Sequence, residues 1–181
     1  MADGFAKGPE RTIHAGHVVT LAVGTFTSPE GEAFEREIIH HPGAVSVVPM
    51  VDDRTAMLVR QYRAALDADL LELPAGKRDV ADEPPEVTAA RELAEEIGRR
   101  PGRLELLAEF HNSPGFCDEH SFVYLGTELT EVPQDTQGIE EQHLTLEPVV
   151  LDDVPAMIAD GALRDAKTII GLLLALRRLG R

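Results

Sequence analysis

The order of its strand-like and helix-like segments predicts that this chain folds as an α+β protein. Segments rich in β-branched residues dominate the first 75 positions, and a strongly charged helical segment follows them. More strand-like segments come next, and two helical segments close the chain. Strands first, one inserted helix and helices last favour a layered architecture of sheets and helices.

The N-terminal region predicts a loose tail and then a β-hairpin. Residues 1–11 are polar and show no strand pattern. Residues 18–27 and 33–41 are typical of strands, and the Ser-Pro-Glu-Gly segment at 28–31 predicts the turn between them. The other predicted strands are residues 45–51, 55–62, 70–73, 104–110, 121–125 and 143–150.

Three helices are predicted from local start and stop signals. The charged helix begins at the Pro-Pro pair at 84–85, since proline is tolerated in the first turn. It ends near Ile97, where Gly98 is a typical C-terminal stop. Asp152 begins a short helix, and residues 166–179 form a longer amphipathic one whose basic end suits the helix dipole.

Composition excludes several classes of function. The 181-residue chain has a formal net charge of −15 and 4% aromatic residues, which argues against a nucleic-acid or anionic membrane surface. A small phosphate substrate remains compatible, because bound metal reverses the local charge. The single cysteine, Cys117, fits a reducing compartment, and the apolar run at 169–176 is too short to span a bilayer. With a polar N-terminus, these features predict a soluble cytoplasmic protein.

The charged helix between Gly76 and Arg99 is the most informative segment. Glu92 and Glu96 lie four residues apart and Glu95 lies three after Glu92, so one helix face carries three carboxylates. Carboxylates crowded in this way repel one another unless cations lie between them, and hard cations such as Mg²⁺ prefer oxygen ligands. We therefore predict a site for Mg²⁺, or for Mn²⁺, over an anionic substrate. The alternative is an ordinary solvated helix surface.

The same segment resembles the Nudix box, whose pattern is G-x5-E-x7-R-E-U-x-E-E-x-G-U, with U an aliphatic residue. The matching positions are Gly76, Glu83, Arg91, Glu92, Leu93, Glu95, Glu96 and Gly98. Two departures occur: six residues separate Gly76 from Glu83, so that Asp82 takes the strict position, and Arg99 replaces the last aliphatic residue. The insertion falls in a loop, where length changes are tolerated best, so we expect the metal-binding face to be intact.

The resemblance implies a Nudix fold, in which mixed β-sheets are sandwiched between helices in α/β/α layers. It also implies that Glu92 and Glu96 are the principal metal ligands, that Glu95 binds directly or through water, and that the backbone carbonyl of Ala75 binds the metal. Gly76 would allow the backbone turn that directs this carbonyl to the site. The implied reaction is hydrolysis of a nucleoside diphosphate linked to another group, by a metal-activated water.

Arg91 and Glu83 are expected to support these ligands. Arg91 lies four residues before Glu95 and is placed to hold it by charge-assisted hydrogen bonds. An ordinary helix salt bridge, worth only about 0.3–0.5 kcal/mol, is the alternative. Glu83 is expected to brace the loop against the helix, and Leu93 and Ile97 are expected to pack in the core.

A downstream segment resembles the ADP-ribose pyrophosphatase subfamily. Pro114 lies sixteen residues after Gly98, in an S-P-G-x-x-x-E setting that contains Gly115, Phe116 and Glu119. The resemblance implies that these four residues contact the substrate. A simple Pro-Gly turn is the alternative.

Upstream, the R-Q-Y-R segment at 60–63 and the E-L-P-A-G segment at 72–76 resemble the same subfamily. They imply that Arg63 and Glu72 help to hold the substrate, partly across a dimer interface. Arg63 suits a phosphate or an adenine face, and a surface salt bridge is the alternative. The resemblance also implies a homodimer with exchanged N-terminal strands, hence a dimerisation subdomain at residues 1–42 and a hydrolase domain at 43–181.

The catalytic base is implied to be a glutamate on a mobile loop before a late strand. Residues 134–142 form that loop and contain Glu140 and Glu141, of which Glu141 is narrowly preferred. A solvated acidic loop without a catalytic role is the alternative. Asp118 and Glu119 are the other candidates.

The leading hypothesis is therefore Mg²⁺-dependent hydrolysis of ADP-ribose to AMP and ribose 5-phosphate. A diphosphatase for another nucleoside diphosphate sugar, such as GDP-mannose, would use the same residues. A catalytically inactive nucleotide-binding module would keep the fold and lose the chemistry. No nucleic-acid or membrane partner is expected.

Overall fold

The computed structural model describes residues 4–181, which form twelve strands and three α-helices. The strands are β1 (Ala6–Ala15), β2 (Thr20–Thr27), β3 (Ala33–His40), β4 (Ala44–Pro49), β5 (Thr55–Arg63), β6 (Ala68–Glu72), β7 (Ala75–Lys77), β8 (Arg99–Arg100), β9 (Arg103–His111), β10 (His120–Thr127), β11 (Thr130–Glu131) and β12 (Thr145–Val150). The α-helices are α1 (Pro85–Ile97), α2 (Val154–Ala159) and α3 (Ala166–Arg178). Short 3₁₀ helices occupy Glu141–His143 and Leu151–Asp153.

The described residues group into two compact units. The first combines the described part of residues 1–43 with residues 111–120, and the second comprises residues 44–110 and 121–181. The predicted subdomain boundary after residue 42 stays a prediction. None of the helices formed by residues 4–181 is long and apolar enough to span a bilayer.

The first unit contains a three-stranded antiparallel sheet in the order β1-β2-β3. Strands β2 and β3 form the predicted hairpin, and the Ser28 carbonyl accepts a 2.9 Å hydrogen bond from the Gly31 amide at its turn. The predicted loose tail at residues 1–11 is wrong from Ala6 onward, because pairing with β2 holds these exposed residues in a strand. Residues 1–3 of that tail lie outside the described part of the chain.

The second unit is built from mixed and antiparallel sheets. A four-stranded sheet has the order β7-β4-β10-β9, with β4 parallel to β10 and antiparallel to β7. An antiparallel sheet has the order β12-β5-β6, and β8 pairs with β11. The sheets and their covering helices confirm the predicted α+β class.

Strand β4 is buried along its whole length because the core covers both of its faces. Alternate residues of a strand point to opposite faces, and two clusters follow from this alternation. Val47 packs in one cluster with Leu93 and Ile97 of α1, as predicted for these two helical residues. Val48 packs in the other cluster with Leu172 of α3. Helices α1 and α3 therefore pack on opposite sides of β4, which is the α/β/α layering.

Helix α1 begins and ends where its local signals predict. Pro85 is its first residue, and the Pro84 carbonyl accepts a 2.9 Å hydrogen bond from the Val87 amide. Gly98 ends the helix with a left-handed φ of +63°, and its amide donates to the Ala94 carbonyl at 3.1 Å. Glycine adopts this conformation without the strain of a side chain. The two ends therefore set which residues face the neighbouring strands.

Candidate active site

The carboxylates of α1 lie against the short strand β7. The Glu96 side chain is only 2% exposed, and its Oε2 accepts a 3.0 Å hydrogen bond from the Ala75 amide. A Cβ placed on Gly76 would lie 1.9 Å from the Glu92 Cδ, so Gly76 is needed for close approach. Its φ is outside the left-handed region, so the expected reason, a special backbone turn, is replaced by space for Glu92.

Arg91 links the acidic residues of the predicted box. Its Nη1 lies 2.9 Å from the Glu92 Oε1 and 3.0 Å from the Glu95 Oε2. Its Nη2 lies 3.6 Å from the Glu83 Oε2, which also accepts a 2.7 Å hydrogen bond from the Thr88 hydroxyl. The structure thus contains the expected Arg91–Glu95 bond and ties Glu83 to the helix.

The inserted residue before the helix leaves these contacts in place. Asp82 has a left-handed φ of +61°, which Asp tolerates better than most residues. At the other departure from the pattern, Arg99 lies opposite Glu131 in the β8–β11 pair, and its Nη1 is 2.7 Å from the Glu131 Oε1. An ion pair therefore takes the place of the aliphatic contact.

Burial and mutual repulsion strongly raise the pKa of two of the carboxylates. Burial raises the pKa of Glu96 to about 8, and the charges of Glu92 and Glu141 add to the rise against the Ala75 hydrogen bond. Burial likewise raises the pKa of Glu92 to about 7, although Arg91 opposes the shift. A cation added at this position would stabilise the charged form of both carboxylates.

The donor set fits a hard divalent cation. Among residues 4–181, no three acidic, histidine or cysteine side chains already converge as a group that could hold a metal. The oxygen chemistry is nevertheless suitable, because Glu92 and Glu96 are carboxylates whose pKa values are raised by burial and by neighbouring acidic groups. Glu92 and Glu95 share one Arg91 nitrogen, which brings their carboxylates together.

The loop predicted to carry the base is anchored to the end of α1. The Gln134 side-chain amide donates to the Glu96 carbonyl at 2.5 Å, and the Asp135 amide donates to the Glu95 carbonyl at 3.2 Å. These bonds place the start of residues 134–142 beside the acidic turn of the helix. Gln134 was missed by the sequence interpretation, because nothing local marks it as a partner of α1.

Glu141 and Glu140 differ in their surroundings. The Glu141 Oε2 accepts hydrogen bonds from the Gln137 amide at 2.8 Å and the Gly138 amide at 3.2 Å. The charge of Glu141 also raises the pKa of both Glu92 and Glu96, so it lies within electrostatic reach of them. Glu140 directly precedes the 3₁₀ helix Glu141–His143. The catalytic role of either residue stays a prediction.

Arg63 and Glu72 form a partly buried ion pair. The Arg63 Nε lies 2.8 Å from the Glu72 Oε2, and the Gln61 side-chain amide donates to the same oxygen at 3.2 Å. Burial lowers the pKa of Arg63, but Glu72, Glu96 and Asp165 raise it more. Gln61 belongs to the R-Q-Y-R segment, but no role was predicted for it. Its position two residues before Arg63 on one strand was a usable signal, since this spacing directs both side chains to one face. Substrate binding by this pair stays a prediction.

The remaining predicted substrate residues belong to the first unit, and the acidic helix belongs to the second. The Ser113 carbonyl accepts hydrogen bonds from the Phe116 amide at 3.1 Å and the Cys117 amide at 2.9 Å, which forms a tight turn around Pro114 and Gly115. The Phe116 side chain is 59% exposed. The substrate roles of Pro114, Gly115, Phe116 and Glu119 therefore stay predictions.

The chain is similar to known proteins over most of its length. An ADP-ribose pyrophosphatase of Bacillus subtilis (strain 168) is 37% identical and aligns over 86% of this chain and 84% of its own length. An ADP-ribose pyrophosphatase of Mycobacterium tuberculosis (strain ATCC 25618 / H37Rv) is 37% identical, over 93% and 82%. The methanol dehydrogenase activator of Bacillus methanolicus is 36% identical, over 88% and 86%.

Two further matches have lower sequence identity. A GDP-mannose pyrophosphatase of Klebsiella pneumoniae is 28% identical, over 84% of this chain and 77% of its own. A solved structure described as an ADP compounds hydrolase has a TM-score of 0.84 at 21% identity, over 98% of this chain and 95% of its own, which supports the fold. The family model described as the NUDIX domain matches residues 40–170. With that match over more than half of its length, the chain belongs to the NUDIX family.

Proposed function

We propose that this protein hydrolyses the diphosphate bond of ADP-ribose to give AMP and ribose 5-phosphate. The observation that carries the proposal is the 37% identity to two ADP-ribose pyrophosphatases over more than 80% of every chain compared. The intact acidic face of α1 supports hydrolytic chemistry, since a binding module has no need to retain all three carboxylates. The proposed substrate is a small nucleotide sugar.

The proposed cofactor is Mg²⁺, with Mn²⁺ as a substitute. Glu92, Glu95, Glu96 and the carbonyl of Ala75 would hold it, since buried carboxylates with raised pKa values favour a hard cation. When bound, the metal would neutralise phosphate oxygens and lower the pKa of the attacking water. Arg91 keeps Glu92 and Glu95 oriented through its shared nitrogen.

Glu141 is the proposed general base, and Glu140 is the reserve candidate. Support comes from the electrostatic reach of Glu141 to Glu92 and Glu96, which suits a group that accepts a proton from water beside them. The backbone amides of Gln137 and Gly138 hold its carboxylate in the loop.

Arg63 and Glu72 are proposed to bind the substrate together. Glu72 is buried and fixes the Arg63 guanidinium, which leaves a partly exposed, oriented cation suited to phosphate. Pro114, Gly115, Phe116 and Glu119 are proposed as further substrate contacts on the basis of their motif. The 59% exposed Phe116 ring is available for stacking on a base.

A homodimer with exchanged N-terminal strands is part of the proposal. Large apolar side chains of the first unit are exposed, namely Phe5 at 53%, Ile13 at 46% and Val18 at 44%, and such side chains favour burial in an interface. A cytoplasmic location is also proposed, supported by the free thiol of Cys117, which suits a reducing compartment. Light scattering coupled to size-exclusion chromatography tests the dimer.

GDP-mannose hydrolysis is the second candidate, favoured by the 28% identity to a GDP-mannose pyrophosphatase. The deciding experiment incubates the protein with Mg²⁺ or Mn²⁺ and each of ADP-ribose, GDP-mannose, ADP-glucose, NADH and FAD, and separates the products by chromatography. We expect AMP to be released fastest from ADP-ribose. Faster cleavage of GDP-mannose would exchange the substrate and keep the chemistry. No cleavage with either metal would favour an inactive nucleotide-binding module.

A further inference from the structure

Three consecutive residues beside the acidic face are each held by a different element. The Leu73 amide donates to the Thr168 hydroxyl of α3 at 2.9 Å. The Pro74 carbonyl accepts from the Val47 amide of β4 at 3.0 Å. The Ala75 amide donates to Glu96 of α1 at 3.0 Å. Ala75 is also held by the pairing of β7 with β4, whereas Leu73 lies between β6 and β7 and its amide is held by Thr168.

Thr168 is the partner that lies farthest along the sequence from this segment, and it is fully buried. Its hydroxyl donates to the Asp165 Oδ2 at 2.8 Å, and its amide donates to the same oxygen at 2.9 Å. A hydroxyl has one proton, so donation to Asp165 directs an oxygen lone pair toward the Leu73 amide. Lys167 contacts the other Asp165 oxygen at 2.8 Å. Burial raises the pKa of Asp165, but Lys167 and Thr168 lower it by more, and the net pKa is below its usual value. Asp165 therefore accepts these hydrogen bonds as a carboxylate.

Helix α3 approaches this segment closely at one further position. A Cβ placed on Gly171 would lie 2.7 Å from the Leu73 Cδ1 and 2.9 Å from the Val123 Cγ1. Gly171 itself is buried, and α3 therefore packs with its backbone against Leu73. This approach brings the Thr168 hydroxyl within reach of the Leu73 amide.

We infer that Thr168, oriented by Asp165, is a positioning residue for the metal site: it holds Leu73–Ala75 where the Ala75 backbone meets Glu96. The inference rests on the proposed function, because it assigns the Ala75 carbonyl and Glu96 to the metal. Capping of α3 alone requires only the bond from the Thr168 amide to Asp165. The bond from Leu73 to the hydroxyl adds nothing to that cap, and it fixes the segment that carries a proposed ligand.

Removal of the hydroxyl at constant shape tests this inference. Thr168→Val deletes the acceptor for the Leu73 amide, and Thr168→Ser retains it. Mn²⁺ binding is measured by electron paramagnetic resonance without substrate, and kcat and KM are measured at increasing Mg²⁺. We expect Thr168→Val to weaken Mn²⁺ binding about tenfold, because substitution of residues that hold metal ligands in place commonly lowers metal affinity by this factor or more. We also expect it to raise the Mg²⁺ requirement while KM for substrate at saturating metal is unchanged.

Thr168→Ser should bind Mn²⁺ within about twofold of the wild type, since the hydrogen bond is retained. Equal weakening in both variants would overturn the inference, because it would point to shape and not to the hydroxyl. Unchanged Mn²⁺ binding in Thr168→Val would overturn it directly. A wild-type protein that binds no Mn²⁺ would also overturn it, whereas failure to cleave ADP-ribose with Mn²⁺ bound would overturn only the proposed substrate.

Leu172→Ala is the matched control on the same helix. Leu172 is fully buried in the core on the α3 side, so its truncation should lower Tm without touching the Leu73–Thr168 bond. We expect its Mn²⁺ affinity to match the wild type, and an equal loss would overturn the inference. Should Thr168→Val fail to fold, amide hydrogen exchange of the wild type tests whether the Leu73 amide is held. Slow exchange at Leu73 supports the inference, and exchange as fast as in exposed loops overturns it.

Discussion

Two regions of the molecule gather carboxylates around a cationic group, and their electrostatics are opposite. On α1, burial raises the pKa of Glu92 to about 7 and that of Glu96 to about 8. In the first unit, His40 contacts Asp118 at 2.6 Å and Glu10 at 2.9 Å, and its hydrogen bonds to them raise its own pKa. The pKa of Glu10 is lowered by hydrogen bonds to Lys7 and His40.

The two groups differ in burial and in the number of cationic partners. In the first unit the carboxylates are partly exposed and have cationic partners, so the group is balanced and typical of a structural ion pair. Among residues 4–181, Arg91 of α1 is the one cationic partner of Glu92 and Glu95, and it also lies near Glu83 of the preceding loop. The buried Glu96 has no direct cationic contact in the described structure. That remaining need for positive charge is what a divalent metal would satisfy.

The largest expected effect comes from Glu96→Gln, which deletes a proposed ligand charge. We expect kcat to fall by about a hundredfold or more. Substitution of residues that only support metal ligands lowers activity by about 10–100-fold, and loss of a ligand should have a larger effect. Without metal, Tm should be nearly unchanged at neutral pH, because the raised pKa keeps Glu96 largely protonated, and higher above about pH 8, where the variant avoids a buried charge. Glu86→Gln, at an exposed position in the first turn of the same helix, is the control and should retain wild-type kcat. Wild-type turnover in Glu96→Gln would refute the metal assignment.

A second variant tests the close approach at Gly76. Gly76→Ala places a methyl group where the Glu92 carboxylate lies, and the flexible Glu92 side chain must move away. We expect the fold to survive and Mn²⁺ affinity to fall by about tenfold or more. In a double-mutant cycle with Glu92→Ala, the glycine substitution should add little further loss. Additive losses would mean that Gly76 acts through something other than Glu92.

A third, smaller effect is expected on stability against pH without metal. Glu92 and Glu96 have folded-state pKa values above the ordinary 4.5, so the folded protein keeps protons that the unfolded chain has already lost. Their contribution to stability is therefore present below about pH 4.5 and is lost as the pH rises through about 7 to 8. Thermal unfolding in a chelator, compared between wild type and Glu96→Gln, isolates the contribution of Glu96. A wild-type minus variant difference that is constant from pH 5 to 8 would contradict the assignment.

The smallest effect is expected at the balanced cluster of the first unit. His40→Gln removes two partly exposed ion pairs, with Asp118 and with Glu10, so we expect only a small loss of stability. His40 has a pKa above 6.5, so its contribution is present at acidic pH and is lost as the pH rises through that raised pKa. NMR titration of His40 and thermal unfolding check both statements, and Mn²⁺ affinity should be unchanged. A tenfold loss of Mn²⁺ affinity would break the contrast between the two regions.

Much of the acidic helix could be predicted locally. The Pro-Pro pair and Gly98 set the ends of α1, and the helical repeat places Glu92, Glu95 and Glu96 on one face. The same locality explains the errors. Ala6–Ala15 lacks an apolar pattern because all of its residues are exposed, and only pairing with β2 makes it a strand. The three-residue strand β7 carries too few residues to show any periodicity.

The sequence by itself determined the fold class, the family and the presence of a carboxylate face, because these depend on residue types at short, regular spacings. Only the tertiary structure decided that Glu96 meets the Ala75 amide across 21 positions and that Thr168 meets the Leu73 amide across 95. It also decided the raised pKa values, since the burial of a carboxylate depends on the strands and helices packed over it. Contacts between distant segments have no local signal, because chain folding alone brings their partners together.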